Sequence, residues 1–288
     1  MKAISNSRWA ATDLIAAVLD NHQQLDQALL KIFAVGSRHH ELDQRDRAFS
    51  RLLATTVLRR LGQIDYAIDS LLERPLAARL KRVRNVLRLG AAQLLFLGTP
   101  AHAAVNQTVQ LVGYKSPFKG LINAVLRRIS DQPEGLIELG DKCWLNTPDW
   151  LWDSWQAEYG DDKTRAIIEA HLSEPPLDIT VKGATRAWAK RLKANILPTG
   201  TLRRIEGGAI PDLSGYHDGQ WWIQDVASAI PANIIIASFK NGIGGTKVLD
   251  ACAAPGGKSA QLANAGAQVV ALDISIQRVK KLQENLKR

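Results

Sequence analysis

The sequence predicts a multidomain protein: an all-α helical bundle, then a small α+β module, then the beginning of an α/β domain. Up to about residue 132, apolar residues recur every three or four positions, as on the buried face of a helix. Residues 177–182 alternate apolar and polar side chains, which is typical of a half-buried strand. Residues 247–273 form a strand pattern, a glycine-rich turn, a helix pattern and a second strand pattern. We therefore expect domains at 1–132, 136–212 and 213–288.

The first domain is predicted as a series of amphipathic helices. Thr12 and Asp13 are candidate N-cap residues for a helix that carries Leu14 and Ile15 on one face. A helix over 43–61 is expected to end at Gly62, because glycine is the most common residue just past a helix.

The middle domain combines helix and strand patterns. Thr147, Pro148 and Asp149 predict a helix start, with an N-cap residue, a proline and an acid in the first turn. A basic helix is expected over 186–194 and a strand over 202–205, and a further strand is expected over 221–224, beyond the boundary at 212. Four tryptophans at 144, 150, 152 and 155 either fill a core at helical spacing or stack on bases.

The glycine-rich turn predicts a nucleotide site of the Rossmann type. Gly256 and Gly257 let the backbone approach a ligand where a Cβ would collide with it. The helix that starts near Lys258 offers free N–H groups at the same place. Asp273 ends the second strand, where an acid accepts hydrogen bonds from a ribose.

Two common phosphate-binding motifs do not match this turn. A P-loop requires glycine where the chain has Cys252, and a dinucleotide fingerprint requires three spaced glycines where the turn has two adjacent ones. A cofactor with a ribose and no pyrophosphate, such as S-adenosylmethionine, fits better. The alternative is an ordinary junction between a strand and a helix.

Residues 250–258 resemble the cofactor motif of the RNA cytosine-5 methyltransferases, and residues 224–228 resemble that family's lead-in to the catalytic domain. The resemblance implies that Asp250 positions the turn and that Asp273 holds the ribose of S-adenosylmethionine. It also implies that seven turn residues wrap the amino-acid end of the cofactor: Cys252, Ala253, Ala254, Pro255, Gly256, Gly257 and Lys258.

Charge is concentrated in one part of the chain, whose net charge is +9. Residues 74–130 contain no Asp or Glu and ten basic residues, whereas solvated helix faces usually mix both signs. A stretch with one sign of charge favours a polyanion such as RNA as the partner. The residues expected to bind RNA are Arg79, Lys81, Arg82, Arg84, Arg88, Arg127 and Arg128.

The helical part carries a second resemblance. Residues 86–97, 100–109 and 123–128 resemble the NusB-type RNA-binding domain, which precedes the methyltransferase domain in the ribosomal small-subunit RNA methyltransferase B branch. The resemblance implies that 16S ribosomal RNA is the partner. His102 and Asn123, which lie in these stretches, are expected to be structural.

The resemblance also implies a mechanism. A thiolate adds to carbon 6 of cytosine, carbon 5 then takes the methyl group, and loss of the carbon 5 proton releases the thiol. The family places its cysteines after Pro or Thr, whereas Cys143 follows Lys142 and Cys252 follows Ala251. We therefore expect no catalytic nucleophile among these residues.

The α/β part shows only two strand patterns of a doubly wound sheet. We expect the chain to be the N-terminal part of a longer methyltransferase and to be inactive alone. The alternative is a non-catalytic RNA-binding protein of the NusB antitermination type that retains a cofactor turn.

Composition excludes several other classes. No apolar stretch approaches the roughly 18 residues of a membrane span, and the N-terminus lacks an apolar signal core. The two cysteines lack metal-ligand spacing, so we expect no metal. A reduced, cytoplasmic monomer is the simplest expectation.

Overall fold

A computed structural model describes residues 7–131, 143–206 and 208–288. The chain forms two compact units that divide after Ser173. The three domain boundaries expected from the sequence stay a prediction, and the one expected near 132–136 lies outside the described residues. Within the described ranges, no helix is long and apolar enough to cross a membrane.

The first unit is built from helices, which confirms the all-α prediction. They are α1 (Ser7–Leu19), α2 (Leu25–Ile32), α3 (Gln44–Arg59), α4 (Leu61–Asp69), α5 (Lys81–Leu95), α6 (Ala101–Val109), α7 (Lys119–Asp131), α8 (Asp149–Tyr159) and α9 (Asp161–Leu172). Short 3₁₀ segments lie at Ala78–Leu80, Gln110–Val112 and Cys143–Asn146.

Helix α5 is the centre of this unit. Its residues Leu87 and Leu89 are fully buried, together with Leu14 of α1 and Leu126 of α7. Gly90 allows α7 to approach closely, because a Cβ there would lie 2.5 Å from Leu126 Cδ1. The periodic apolar residues of the sequence therefore form one shared core.

Two predicted helix boundaries are wrong, and at a third, where the expected helix start is confirmed, the cap residue is shifted by one position. Helix α1 already includes Ser7, so Thr12 is inside it, and the Thr12 hydroxyl donates to the Arg8 carbonyl 2.8 Å away. Gly62 lies inside α4 rather than ending a helix, and a Cβ there would collide with the Leu145 carbonyl. Pro148 occupies the cap position of α8 and provides no side-chain hydrogen bond, so Thr147 is not the N-cap.

The second unit starts with a four-stranded antiparallel sheet. Its strands are β1 (Leu177–Val181), β2 (Ala194–Ile196), β3 (Leu202–Arg204) and β4 (Trp221–Ile223), in the order β2-β3-β1-β4. Helix α10 (Thr185–Leu192) packs its buried Leu192 into the core of this sheet with Ile179, Leu202 and Trp221.

The expected helix over 186–194 is too long at its end. Lys193 has a left-handed backbone with φ of 50°, which ends α10 just before the unpredicted strand β2. The predicted strands at 177–182, 202–205 and 221–224 are confirmed, each one residue shorter than expected.

The unit continues into a parallel pair of strands. Helix α11 (Val226–Ser238) precedes β5 (Lys247–Asp250), and helix α12 (Gly257–Asn264) connects β5 to β6 (Gln268–Ala271). Helix α13 (Ile276–Lys287) follows. Val248 and Val269 pack on Ala232 and Leu262 of α11 and α12, while Leu249 and Val270 on the other face are about 60% exposed. This arrangement confirms the predicted start of an α/β domain.

A buried carboxylate joins the antiparallel sheet to α11. The Asp178 side chain is 1% exposed and accepts two hydrogen bonds from Arg203, both 2.8 Å long. It also accepts from the backbone N–H of Val226 at 3.2 Å. The Arg203 guanidinium, followed by the Val226 N–H, holds the pKa of Asp178 below its ordinary value despite burial.

The substitution Asp178→Asn is expected to destabilise the sheet by about 2 kcal/mol at neutral pH, because the amide cannot accept both Arg203 hydrogen bonds. Since the folded pKa is depressed, wild type has the full advantage above about pH 4 and loses it as pH falls through the folded pKa. Hydrogen exchange of β1 and β3 peptides measures both effects.

The matched control is Glu206→Gln, which breaks the exposed ion pair between Lys193 and Glu206. Its cost should stay below about 0.5 kcal/mol. If the two variants destabilise β1 and β3 equally, Asp178 is not a major contact of the sheet.

Candidate functional site

The predicted cofactor turn lies between β5 and α12, at the carboxyl end of the parallel strands. The backbone ladder extends past the strands, because Leu272 N donates to Asp250 O at 2.8 Å and Ala253 N donates to Leu272 O at 2.9 Å. The Ala254–Pro255 peptide bond is cis. Gly256 has φ of 112°, a conformation that residues with a Cβ rarely adopt.

Asp250 connects the end of β5 to α12. The Ser259 hydroxyl, in a residue 2% exposed, donates to Asp250 Oδ2 at 2.7 Å. This contact holds the first turn of α12 against the strand, which supports the expectation that Asp250 positions the turn.

Asp273 lies two residues beyond the end of β6, rather than ending the strand as expected, and closes the turn from that side. Its side chain is 3% exposed; one oxygen accepts from Ala254 N at 3.1 Å and the other from Ser275 N at 3.0 Å. The Ser275 N–H above all, with Ala254 N–H and Arg278, lowers the pKa of Asp273. Asp273 therefore carries a negative charge at neutral pH and already has two protein partners.

The seven turn residues differ in their exposure. Ala253, Ala254 and Gly256 are buried, and Gly257 and Lys258 are half-buried. Cys252 and Pro255 are exposed.

Helix α13 contributes two contacts that the sequence analysis missed. Arg278 donates to the Ala254 carbonyl, and Asn285 Nδ2 donates to the Pro255 carbonyl at 2.9 Å. The two residues are seven positions apart and so lie on one face of the helix. That spacing is the signal in the sequence that could have identified them.

One side of the turn faces a cleft of about 610 Å³. Pro255, Gly256 and Gly257 line it together with Trp222 of β4 and Asn285 of α13. Asp250 and Asp273 do not line this cleft. The cleft therefore does not account for a ribose beside Asp273.

The predicted RNA-binding residues fall into two groups. Arg79, Lys81, Arg82, Arg127 and Arg128 are exposed. Arg84 and Arg88 are half-buried and form ion pairs with acids of α4: Arg84 lies 3.1 Å from Asp65, and Arg88 lies 2.7 Å from it. Arg84 also donates to Asp69 at 2.7 Å. The structure thus leaves five of the seven side chains exposed, of which Arg82 also lies 3.6 Å from Asp13.

The exposed group extends to a residue outside the acid-free stretch. The guanidinium carbons of Arg38 and Arg82 lie 4.5 and 4.7 Å from the ring centre of Trp9. A guanidinium stacked on an aromatic ring keeps its N–H edge available to a phosphate. Arg38 is therefore a candidate that the count of charges along the sequence did not identify.

The tryptophans near 150 make contacts within the protein. Arg165 lies 5.5 and 5.7 Å from the rings of Trp144 and Trp152, whose centres are 6.3 Å apart. Trp150 is 70% exposed.

Among the described residues, no group of three or more His, Cys, Asp or Glu side chains could hold a metal ion.

Two protein families match separate parts of the chain. Residues 5–131 match the NusB family, and residues 240–288 match the family described as 16S rRNA methyltransferase RsmB/F. The first region covers the bundle of α1 to α7, and the second covers β5, the cofactor turn and β6.

Whole-chain relatives carry both parts. The chain is 32% identical over 306 residues to ribosomal RNA small subunit methyltransferase B of Cronobacter sakazakii. It is 32% identical over 307 residues to the protein of that name from Escherichia coli. Both alignments cover 100% of this chain and 68% of the relative.

A solved structure shows a similar fold. The crystal structure of PH0851 superposes with a TM-score of 0.65 at 17% sequence identity, covering 100% of this chain and 68% of the other.

The substitution Gly256→Ala is expected to loosen the turn and destabilise it by about 1–3 kcal/mol, because the backbone is left-handed there. The new Cβ would also lie 2.7 Å from Leu282 Cδ1 of α13. Hydrogen exchange of the 251–262 amides measures the effect. Gly244→Ala is the control, since a Cβ there meets nothing within 4 Å; an equal response would contradict the assigned strain.

Proposed function

The chain belongs to the ribosomal RNA small subunit methyltransferase B family, and from this premise we propose that it binds S-adenosylmethionine for methylation of carbon 5 of a cytosine in 16S ribosomal RNA. The observation that supports this best is the turn at the carboxyl end of β5 and β6, which Asp250 and Asp273 hold from both strands. Ligands of open α/β sheets bind at that edge.

The turn fits an anionic amino-acid group. Gly256 occupies the cap position of α12 and provides no side-chain hydrogen bond, so N–H groups at the start of the helix remain for a carboxylate. We propose that residues 252–258 hold the methionine part of the cofactor. Asp273 would hold the ribose through lone pairs beyond those used by Ala254 and Ser275.

The chain's role in the chemistry is to hold the reactants. Bound S-adenosylmethionine supplies an electrophilic methyl group. The proposed reaction needs a thiolate at carbon 6 of cytosine, and we do not assign it to Cys143 or Cys252. Cys252 lies within the proposed cofactor turn, just before Ala253. The family pattern places its cysteines directly after Pro or Thr, and Cys252 follows neither. We therefore propose that these 288 residues do not methylate RNA unaided.

RNA phosphates are the proposed ligands of the exposed cations Arg79, Lys81, Arg82, Arg127 and Arg128, together with Arg38. The first turn of α5 carries basic residues and no acid, which opposes the helix dipole. A phosphate near this helix start would offset both the dipole and the mutual repulsion of the cations.

A second candidate function is RNA binding without catalysis. The match of residues 5–131 to the NusB family favours it, because all of the exposed cations named above lie within those residues. Binding of S-adenosylmethionine distinguishes the two functions, because a relic turn would have no measurable affinity for the cofactor.

In a calorimetric titration with S-adenosylmethionine, Asp273→Asn is expected to raise the Kd at least about tenfold, because a charged hydrogen bond to the ribose is lost. The control Asp212→Asn removes the same charge at an exposed position and should leave the Kd within about twofold. Tighter binding of ATP than of S-adenosylmethionine would contradict the proposal.

For RNA, the double variant Arg127→Gln/Arg128→Gln should weaken binding of a 16S fragment and reduce the salt dependence by about one unit of slope per lost phosphate contact. Filter binding at several salt concentrations measures this slope. The control Arg45→Gln/Arg51→Gln removes two exposed charges outside the 74–130 stretch. Equal loss in both would indicate diffuse attraction rather than a defined surface.

A further inference from the structure

Gln224 is a buried amide whose hydrogen-bonding groups are all occupied. It follows β4, is 5% exposed, and its Oε1 accepts from Trp222 Nε1 at 2.8 Å and from the Thr180 hydroxyl at 3.0 Å. Its Nε2 donates to Gln261 Oε1 at 2.7 Å and to the Ser228 carbonyl at 3.4 Å. One side chain thus links β1, β4, α11 and α12.

The chemistry of the partners defines the direction of these hydrogen bonds. The Trp222 indole can only donate, so the oxygen of Gln224 must face it. Gln261 Nε2 donates to the Ala229 carbonyl at 3.1 Å, which can only accept, and to Asn233 Oδ1 at 2.7 Å. Gln261 Oε1 must therefore face Gln224 Nε2, and neither amide can be reversed without losing contacts.

The same side chain contacts the cofactor turn. A Cβ at Gly257 would lie 3.3 Å from Cγ and Cδ of Gln224, so the stem of Gln224 packs against the first residue of α12. Gln261 lies one turn further along that helix. The Gln224 amide therefore supports the start of α12 from the side of the sheet, while Asp250 contacts it through Ser259.

We propose that Gln224 is a positioning residue for S-adenosylmethionine. Through its bridge to Gln261 it sets the first turn of α12, whose N–H groups and glycines face the cofactor. This proposal rests on the proposed function of the turn. Small displacements of a site can cost up to about a hundredfold in activity or binding, so a contact behind the turn can control affinity without touching the ligand.

The test uses the full chain, with S-adenosylmethionine as the titrant. Gln224→Met keeps the length of the side chain and removes its polar atoms, and we expect the Kd to rise about tenfold. Gln261→Met removes the bridge from the other end and should have a similar effect. Because both variants break the Gln224–Gln261 hydrogen bond through which the proposed effect acts, the double variant should bind no more weakly than the weaker single variant. Additive losses would overturn the proposal.

The matched control is Trp221→Phe. Trp221 begins β4, the strand that Gln224 follows, is 1% exposed, and donates its indole N–H to the Ser214 carbonyl at 2.9 Å within the core of the sheet. It should lower the melting temperature at least as much as Gln224→Met, yet leave the Kd within about twofold. If the increase in Kd is proportional to the decrease in melting temperature across all variants, Gln224 has a structural role only.

Hydrogen exchange separates failure of this proposal from failure of the proposed function. Gln224→Met should speed exchange of the 257–261 amides by about tenfold relative to Trp221→Phe, whether or not cofactor is present. If wild type binds no S-adenosylmethionine, the proposed function fails and, with it, the cofactor role of Gln224. Unchanged exchange with intact cofactor binding by wild type would overturn the positioning role alone.

Discussion

The burial of the Asp178 carboxylate is the constraint on which the second unit depends. A buried charge is tolerated only when its partners compensate for the lost water, and Asp178 obtains them from Arg203 on β3 and Val226 at the start of α11. Its own carbonyl accepts from Gln224 N. The chain entering the α/β part is therefore attached to the centre of the small sheet, and the position of α11 and the cofactor turn follows from that attachment.

Asp250 and Asp273 hold the glycine-rich turn in place through contacts within the protein. Asp250 holds Ser259 of α12, and Asp273 holds the backbone of Ala254 and Ser275. The N–H groups of Ser275 and Ala254 lower the pKa of Asp273, so its carboxylate stays ionised and keeps lone pairs for a further donor. Protein contacts alone therefore hold the turn in place, and a ligand of the kind proposed above would require little further ordering.

The helical unit shows how tertiary structure redistributes charge. The stretch 74–130 has no acid of its own, yet Asp65 and Asp69 of α4 pair with Arg84 and Arg88 of α5. Through these pairs, Arg84 and Arg88 contribute to the packing of the helices rather than to the exposed basic surface. The same packing places Arg38, from another segment, beside Arg82 on Trp9. The number of basic residues in this stretch therefore predicted a basic surface, but not which residues form it.

The sequence by itself determined the order of the three structural classes, the main strands, the glycine turn and the family resemblance. Periodicity and glycine chemistry are local properties, so they are visible without a fold. Only the tertiary structure decided that Thr12 lies inside α1, that Lys193 ends α10, and that Arg278 and Asn285 support the turn. Each of these depends on partners distant in the chain, because helix packing and buried hydrogen bonds override local preference.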